Sequence, residues 1–460
     1  MSEVLISPAD AGETIPLHPI RKQDLEGFLA RRPEGIRAQA EAQSFKGSIG
    51  QACAVLRSGR VVMALVGLGS GERPDPMALR AAPAKLPAGD YALKPVRGIG
   101  ALEAAVAWGL GSYVFDRYKP RPDRRLVRLV VAEAALAEAR RICHACALAR
   151  DMVNTPANDL GPLQIETIAR EIAERYGARL QVTVGEDLGE AGYPAVLAVG
   201  RAAEKDRAPR MIELTWGEEG PLVAIVGKGV VFDTGGLDLK PSASMRLMKK
   251  DMGGAAHALA LGRMIMDAGL KLRLVVLIPA VENAVSGAAM RPGDVISSRK
   301  GLSIEIGNTD AEGRLILADA LTRAAELKPD LTIDLATLTG AARVALGPQV
   351  IPFFTDDDKL ARELEAASVR TADPLWRLPL WQGYTEAVEG DIADLRNDPE
   401  AWAQAGSVTA ALFLKKFAPE GSWAHLDIFA WNPRGRPGWP VGAEAQAIRA
   451  LYDLISRRFG

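Results

Sequence analysis

The chain is poor in cysteine and in histidine. Three cysteines, Cys53, Cys143 and Cys146, stand in 460 residues. So odd and sparse a number argues against a disulfide framework and fits a reducing compartment. The four histidines, His18, His144, His257 and His425, are too few and too scattered for a histidine-rich zinc site. Neither sign of charge is in excess. Lys and Arg number 56 against 57 Asp and Glu, a net charge of −1, so no global field draws the protein to nucleic acid or to an anionic membrane. No apolar run reaches the roughly 18 residues of a membrane helix, and residues 1–20 lack the apolar stretch of a signal peptide. A cytoplasmic protein is expected. Hydrophobic residues make up 48% and charged residues 25%, an ordinary balance for a protein of this length with two domains.

The apolar pattern places a small N-terminal α/β domain at 1–131, a connecting helix at 132–153 and a larger α/β domain at 154–460. In the first domain, 61–66 reads as a strand, 74–95 as a Pro- and Ala-rich loop, 103–110 as a helix and 126–131 as a last strand. In the second, a helix at 163–176 precedes strands at 180–184, 195–199 and 211–215. The run 222–226 is continuously apolar, as in a central strand buried on both faces. Further strands are expected at 274–278, 331–335, 350–354 and 425–428, with helices between them. The expected fold is therefore α/β, with a central mixed sheet flanked by helices in the larger domain.

Two motifs invite chemistry and are better read as structure. Gly67, Gly69 and Gly71 resemble a dinucleotide loop, but the third glycine is misplaced and no helix clearly follows. Cys143 and Cys146 flank His144 on a helix. There is no second cysteine pair, and helical spacing turns the imidazole away from the thiols, so buried, inert cysteines are expected.

The charged motifs of the second domain carry more. In 308–315, NTDAEGRL, Asp310, Glu312 and Arg314 fall at alternate positions, and an extended backbone would point all three to one side. The alternative is a capping motif with a surface ion pair. A second cluster follows the apolar strand and holds Lys228, Asp233 and Lys240 among glycines, where open α/β sheets place ligands. Gly227-Lys228 is no P-loop, since the upstream glycine and the following Ser or Thr are missing. Asp251 opens a stretch of small residues suited to close packing. Asp233, Asp251, Asp310 and Glu312, gathered without counter-charge, would repel one another. Two divalent cations with bridging carboxylates would resolve the repulsion and suit hydrolysis. A lysine can join such a site only as a neutral amine.

These segments, VGKG (226–229), FDTGG (232–236), KPS (240–242), MKKDM (248–252) and NTDAEGRL, resemble the leucyl (cytosol) aminopeptidase family. So do NTPAN (154–158), DLATLTGA (334–341) and AGSVTAA (405–411), and, more thinly, GSYVFDRY (111–118) in the first domain. The resemblance implies a metal-dependent enzyme that releases N-terminal residues, leucine-like ones preferred. It implies that Lys228, Asp233, Asp251 and Glu312 hold one metal ion and that Asp233, Asp310 and Glu312 hold a more exchangeable one. Zn or Mn is expected, with Co or Mg as the other candidates. Lys240 and Arg314 would be catalytic, Arg314 by holding a bicarbonate ion that shuttles the proton. Met248, Thr337 and Gly340 match positions lining the pocket for the N-terminal side chain. Peptide substrates and a homohexamer follow from the same resemblance. The chain departs from the family's pattern at Phe429-Ala430, at 442–446 and at Ile306-Gly307, outside the metal motifs. Two other classes stay open: a binding module that kept the fold, against which all the metal and catalytic positions stand intact, and a nucleotide-binding enzyme using 67–71 or Lys228.

Overall fold

A computed structural model describes residues 2–121, 125–399 and 404–460. The chain forms two compact units. One comprises Met1–Ala147 with Asn432–Gly442, the other Leu148–Trp431 with Ala443–Gly460. The division falls inside the helix Glu133–Asn154.

The first unit holds a six-stranded sheet in the order Leu5–Ile6, Val127–Val130, Gly89–Leu93, Thr14–Arg21, Arg60–Gly69, Ala52–Arg57. Every pairing is parallel except the last, a hairpin. Gly67 and Gly69 lie inside the strand Arg60–Gly69, so the glycine motif belongs to the sheet. Residues 74–95, expected as loop, carry the short helix Ala82–Lys85 and the strand Gly89–Leu93. The Pro- and Ala-rich composition hid a strand that a parallel neighbour on each side supplies with bonds.

The second unit is built on a nine-stranded mixed sheet. Its order is Leu375–Arg377, Ile351–Phe354, Trp423–Asp427, Leu331–Ala336, Leu222–Gly227, Arg273–Asn283, Arg210–Trp216, Arg179–Val184, with Gly229–Asp233 also paired to Arg273–Asn283. The four central strands run parallel. In Leu222–Gly227 successive side chains face opposite sides. Leu222, Ala224 and Val226 join a core with Leu315, Ile316 and Ala320 of the helix Glu312–Glu326 and with Val196 and Val199. On the other face Gly227 meets Ala255 and Ala258 of the helix Gly253–Ala268. The sheet is thus covered on both faces, and the expected α/β class with a flanked mixed sheet is what the chain adopts.

Residues 195–199, expected as a strand, form the helix Pro194–Gly200. Proline stands at its start, where a missing N–H costs nothing. The Asp319 carboxylate accepts from Ala195 N at 2.8 Å and from Val196 N at 3.2 Å. A short, mostly buried helix of apolar residues has no polar stripe, so its run reads like a strand. Among the described residues, no helix is long and apolar enough to cross a membrane.

Candidate metal centre

The charged motifs meet at the carboxyl edge of the parallel strands, the usual ligand edge of such sheets. Lys228 follows Leu222–Gly227, Asp233 ends Gly229–Asp233, and Thr337 follows Leu331–Ala336. Asp251 lies in the 3-10 turn Met248–Met252, which leads into the helix Gly253–Ala268. Close packing of this helix on the strand ends needs small residues. A Cβ at Gly254 would come within 2.1 Å of Leu335 O.

The segment 310–314 is not extended. Asp310 sits in a turn, its N–H bonded to Asn308 Oδ1 at 2.8 Å, and Glu312 begins the helix Glu312–Glu326. Asp310 and Glu312 still converge because the turn feeds straight into the helix. Arg314 does not join them in contact. It lies in the helix and donates from Nη1 to Asn397 O at 2.7 Å.

Carboxylate oxygens of Asp233, Asp310 and Glu312 come within 4.8 Å of one another. Lys228 Nζ lies 2.6 Å from Asp251 Oδ2 and 3.0 Å from Glu312 Oε1. Lys240 Nζ lies 2.7 Å from Asp233 Oδ2 and is also paired with Asp310. Asp233 Oδ1 accepts from Gly235 N at 2.9 Å and from Asn283 Nδ2 at 2.8 Å. Thr337 joins the cluster, its Oγ1 donating to Asp251 Oδ1 at 2.8 Å and its carbonyl accepting from Lys228 Nζ at 3.3 Å. Met248 opens the 3-10 turn that carries Asp251, and Gly340 opens the helix Gly340–Leu346. Gly313 leaves room for the Lys228 side chain: a Cβ there would lie 2.4 Å from Lys228 Cε.

The electrostatics are those of a crowded acid site. Burial, followed by the Asp233 charge, pushes Glu312 up to about 8 and Asp310 up to about 6. Burial also opposes the Asp251 charge, but Lys228 and Lys250 outweigh it and bring Asp251 down to about 2. Burial works against both lysines as well. The surrounding carboxylates, Asp251 first at Lys228 and Asp233 first at Lys240, raise both pKa values above the ordinary lysine value. Burial lowers Arg314, against the charges of Asp398, Glu312 and Asp427.

The donor set fits divalent cations. Its donors are mostly hard carboxylate oxygens, and Glu312 Oε2 is buried without a hydrogen-bond donor. A buried carboxylate with empty lone pairs is costly unless another positive group takes them. Here the lysine ammonium groups hold the carboxylates, as the charge balance requires.

Several supporting residues escaped the sequence reading. Thr309 donates to Gly235 O at 2.6 Å and accepts from Asp238 N at 2.8 Å, stapling the two motif loops together. Asn283 bonds Asp233 and Thr309 O. Asp427 accepts from Leu338 N and Thr339 N, both at 3.1 Å, and fixes the loop after Thr337. Thr309 was open to reading, since it lies inside a quoted motif. Asn283, Asn397 and Asp427 sit alone in sequence.

Fold and cluster together give an α/β protein with an oxygen-rich site that could hold a cation. The model of the cytosol aminopeptidase family catalytic domain matches residues 147–452, and that of the M17 aminopeptidase N-terminal domain matches residues 15–132. The chain belongs to the cytosol aminopeptidase family. It is similar to a probable cytosol aminopeptidase of Syntrophotalea carbinolica, at 40% identity over 92% of this chain and 84% of that one. It also resembles the crystal structure of a cytosol aminopeptidase from Coxiella burnetii, at 41% identity and a TM-score of 0.93 over 100% of both chains. The bottromycin maturation enzyme BotP, solved in complex with Mn, superposes with a TM-score of 0.87 at 35% identity, over 98% of this chain and 100% of that one. As a member of this family the chain is a metal-dependent aminopeptidase, a hydrolase acting on peptide ends.

Proposed function

We propose that the chain releases N-terminal residues, leucine-like ones preferred, from peptides at a two-ion centre. Lys228, Asp233, Asp251 and Glu312 would hold one ion, and Asp233, Asp310 and Glu312 the other. Zn or Mn is the expected metal. The observation that carries this reading is Glu312, buried among the other acids with Oε1 in an ion pair with Lys228 and Oε2 without a hydrogen-bond donor. When bound, the cations supply a water that ionises near neutral pH.

The two lysines divide the remaining work by position. The Lys228 side chain is 3% exposed and Lys240 12%. Lys228, facing inward, is a ligand in this reading. Lys240, at the rim, can reach a substrate and donate to the oxyanion that develops on the scissile carbonyl. Arg314 keeps its Nε without an acceptor. A guanidinium fork with a free edge suits a planar anion such as bicarbonate, which would accept a proton beside the cluster. Met248, Thr337 and Gly340 would line the pocket for the first side chain. A cytoplasmic homohexamer is part of the same reading, and sedimentation velocity would test the assembly.

The deciding assay uses leucyl amide and its N-acetyl derivative. Chelator-stripped protein should be inactive and should recover with Mn, Co or Zn. The blocked substrate should not turn over, and the rate on the free one should rise as its amine deprotonates at about pH 7.7–8.0. Full activity without metal, or equal cleavage of both substrates, would overturn the reading.

A further inference from the structure

Asn397 lies outside the family motifs quoted above, just after the short strand Leu395–Arg396, which pairs with Ser303–Glu305. It is fully buried. Its side-chain oxygen accepts from Gly307 N at 2.9 Å and Asn308 N at 3.2 Å. Its side-chain nitrogen donates to Asn308 O at 2.7 Å and Ala311 O at 3.3 Å. Its own N–H donates to Glu305 O at 3.1 Å, and its carbonyl accepts from Arg314 Nη1 at 2.7 Å. One residue thus grips the main chain on both sides of Asp310 and also holds the guanidinium one turn further on.

The chemistry of the grip is selective. Two backbone donors face one end of the side chain and two backbone acceptors the other, which only a primary amide can satisfy. Aspartate would set an oxygen against two carbonyls. Glutamine is one methylene too long for a site with no exposed surface.

We propose that Asn397 is a positioning residue that sets the Asp310 loop and the Arg314 guanidinium in register with each other. It rests on the two-ion reading above. Asp310 serves only the more exchangeable ion in that reading, so loosening Asn397 weakens that ion and leaves the one held by Lys228 and Asp251. The acceptor of Arg314 is the main-chain carbonyl of the same residue, so it shifts when the side chain no longer pins that segment, and turnover falls more than substrate affinity. Partners that orient a ligand typically contribute about 10–100-fold in metal affinity or activity.

The test is titration of metal-free protein with Mn, counting sites and affinities, for wild type, Asn397→Ala and Asn397→Asp. The aspartate keeps the shape and both acceptor bonds, and is the variant to read should the alanine not fold. Expected are two sites in wild type. In the variants one site should weaken by about 10–100-fold, with kcat lowered by a similar factor and KM changed less. Variants that fill both sites with wild-type affinity and keep wild-type kcat, whatever their loss of Tm, would reduce Asn397 to a structural residue and overturn the proposal. Wild type that takes up fewer than two ions would overturn the two-ion reading itself, visible before any substitution is made.

Discussion

Glu312 and Asp319 lie on one helix, two turns apart, and both are essentially inaccessible, at 1% and 0% exposure. Their lone pairs fare differently. Asp319 accepts from Ala195 N and Val196 N on one oxygen and from Arg299 N at 2.7 Å on the other. Glu312 receives no main-chain hydrogen bond; Lys228 Nζ pairs with its Oε1 at 3.0 Å, and its Oε2 has no donor. Burial raises both, Asp319 to about 7 and Glu312 to about 8. Burial or a raised pKa alone would therefore mark both as functional. What separates them is the destination of each oxygen. One acid ties a neighbouring helix and loop to the core through main-chain donors, and the other faces a lysine and neighbouring acids.

The comparison breaks most sharply at Glu312. Glu312→Gln keeps the size and removes the charge. It should lower metal uptake and activity by more than the about 100-fold typical of a residue that merely supports a ligand. Unchanged metal content by elemental analysis would place Glu312 alongside Asp319 as a structural acid. The lysines sharpen the same contrast. Lys240→Ala should keep both ions and lose about 10²–10³ in kcat, whereas Lys228→Ala should lose metal. The reverse pattern, measured as metal content beside kcat, would exchange their roles.

At Asp319 the effect should be smaller and should appear in stability. Asp319→Ala strands two buried N–H groups and a half-buried third and should cost at least about 1–3 kcal/mol by denaturant unfolding, with normal kcat per folded molecule. Its raised pKa also fixes a sign. The native state holds the Asp319 proton up to about pH 7, while the unfolded chain releases it near about 3.9. The stability from this group is thus fully present below about pH 3.9 and is lost as pH rises toward 7, with a slope of at most about 1.4 kcal/mol per pH unit. Asp319→Asn should flatten that slope. Parallel pH–stability curves for variant and wild type would show that Asp319 is ionised throughout.

The legibility of the sequence follows the same divide between local and remote signals. The strands at 222–226 and 331–335 could be read because residues buried on both faces leave long apolar runs. The run 195–199 has the same look and is a helix, since its cap is a carboxylate 124 residues away. Asp233, Asp251, Asp310 and Glu312 could be gathered because each lies in a compact charged motif, although the premise of an extended 310–314 was wrong and a helix start brings Glu312 in. Asn397 could not be found this way. It acts on Arg314 across 83 residues, and an isolated asparagine carries no pattern. Local motifs announce the acids that meet, while the groups that bond the loops carrying them are recruited by topology.

Gly313 bears on how relatives of this chain can be sorted. The space a methyl group would need there is already filled by the stem of Lys228. An alanine at this position would keep every charged letter of the motifs and still displace the end of the Lys228 side chain. In a survey of copies, the uncharged letter between Glu312 and Arg314 deserves the same scrutiny as the acids themselves.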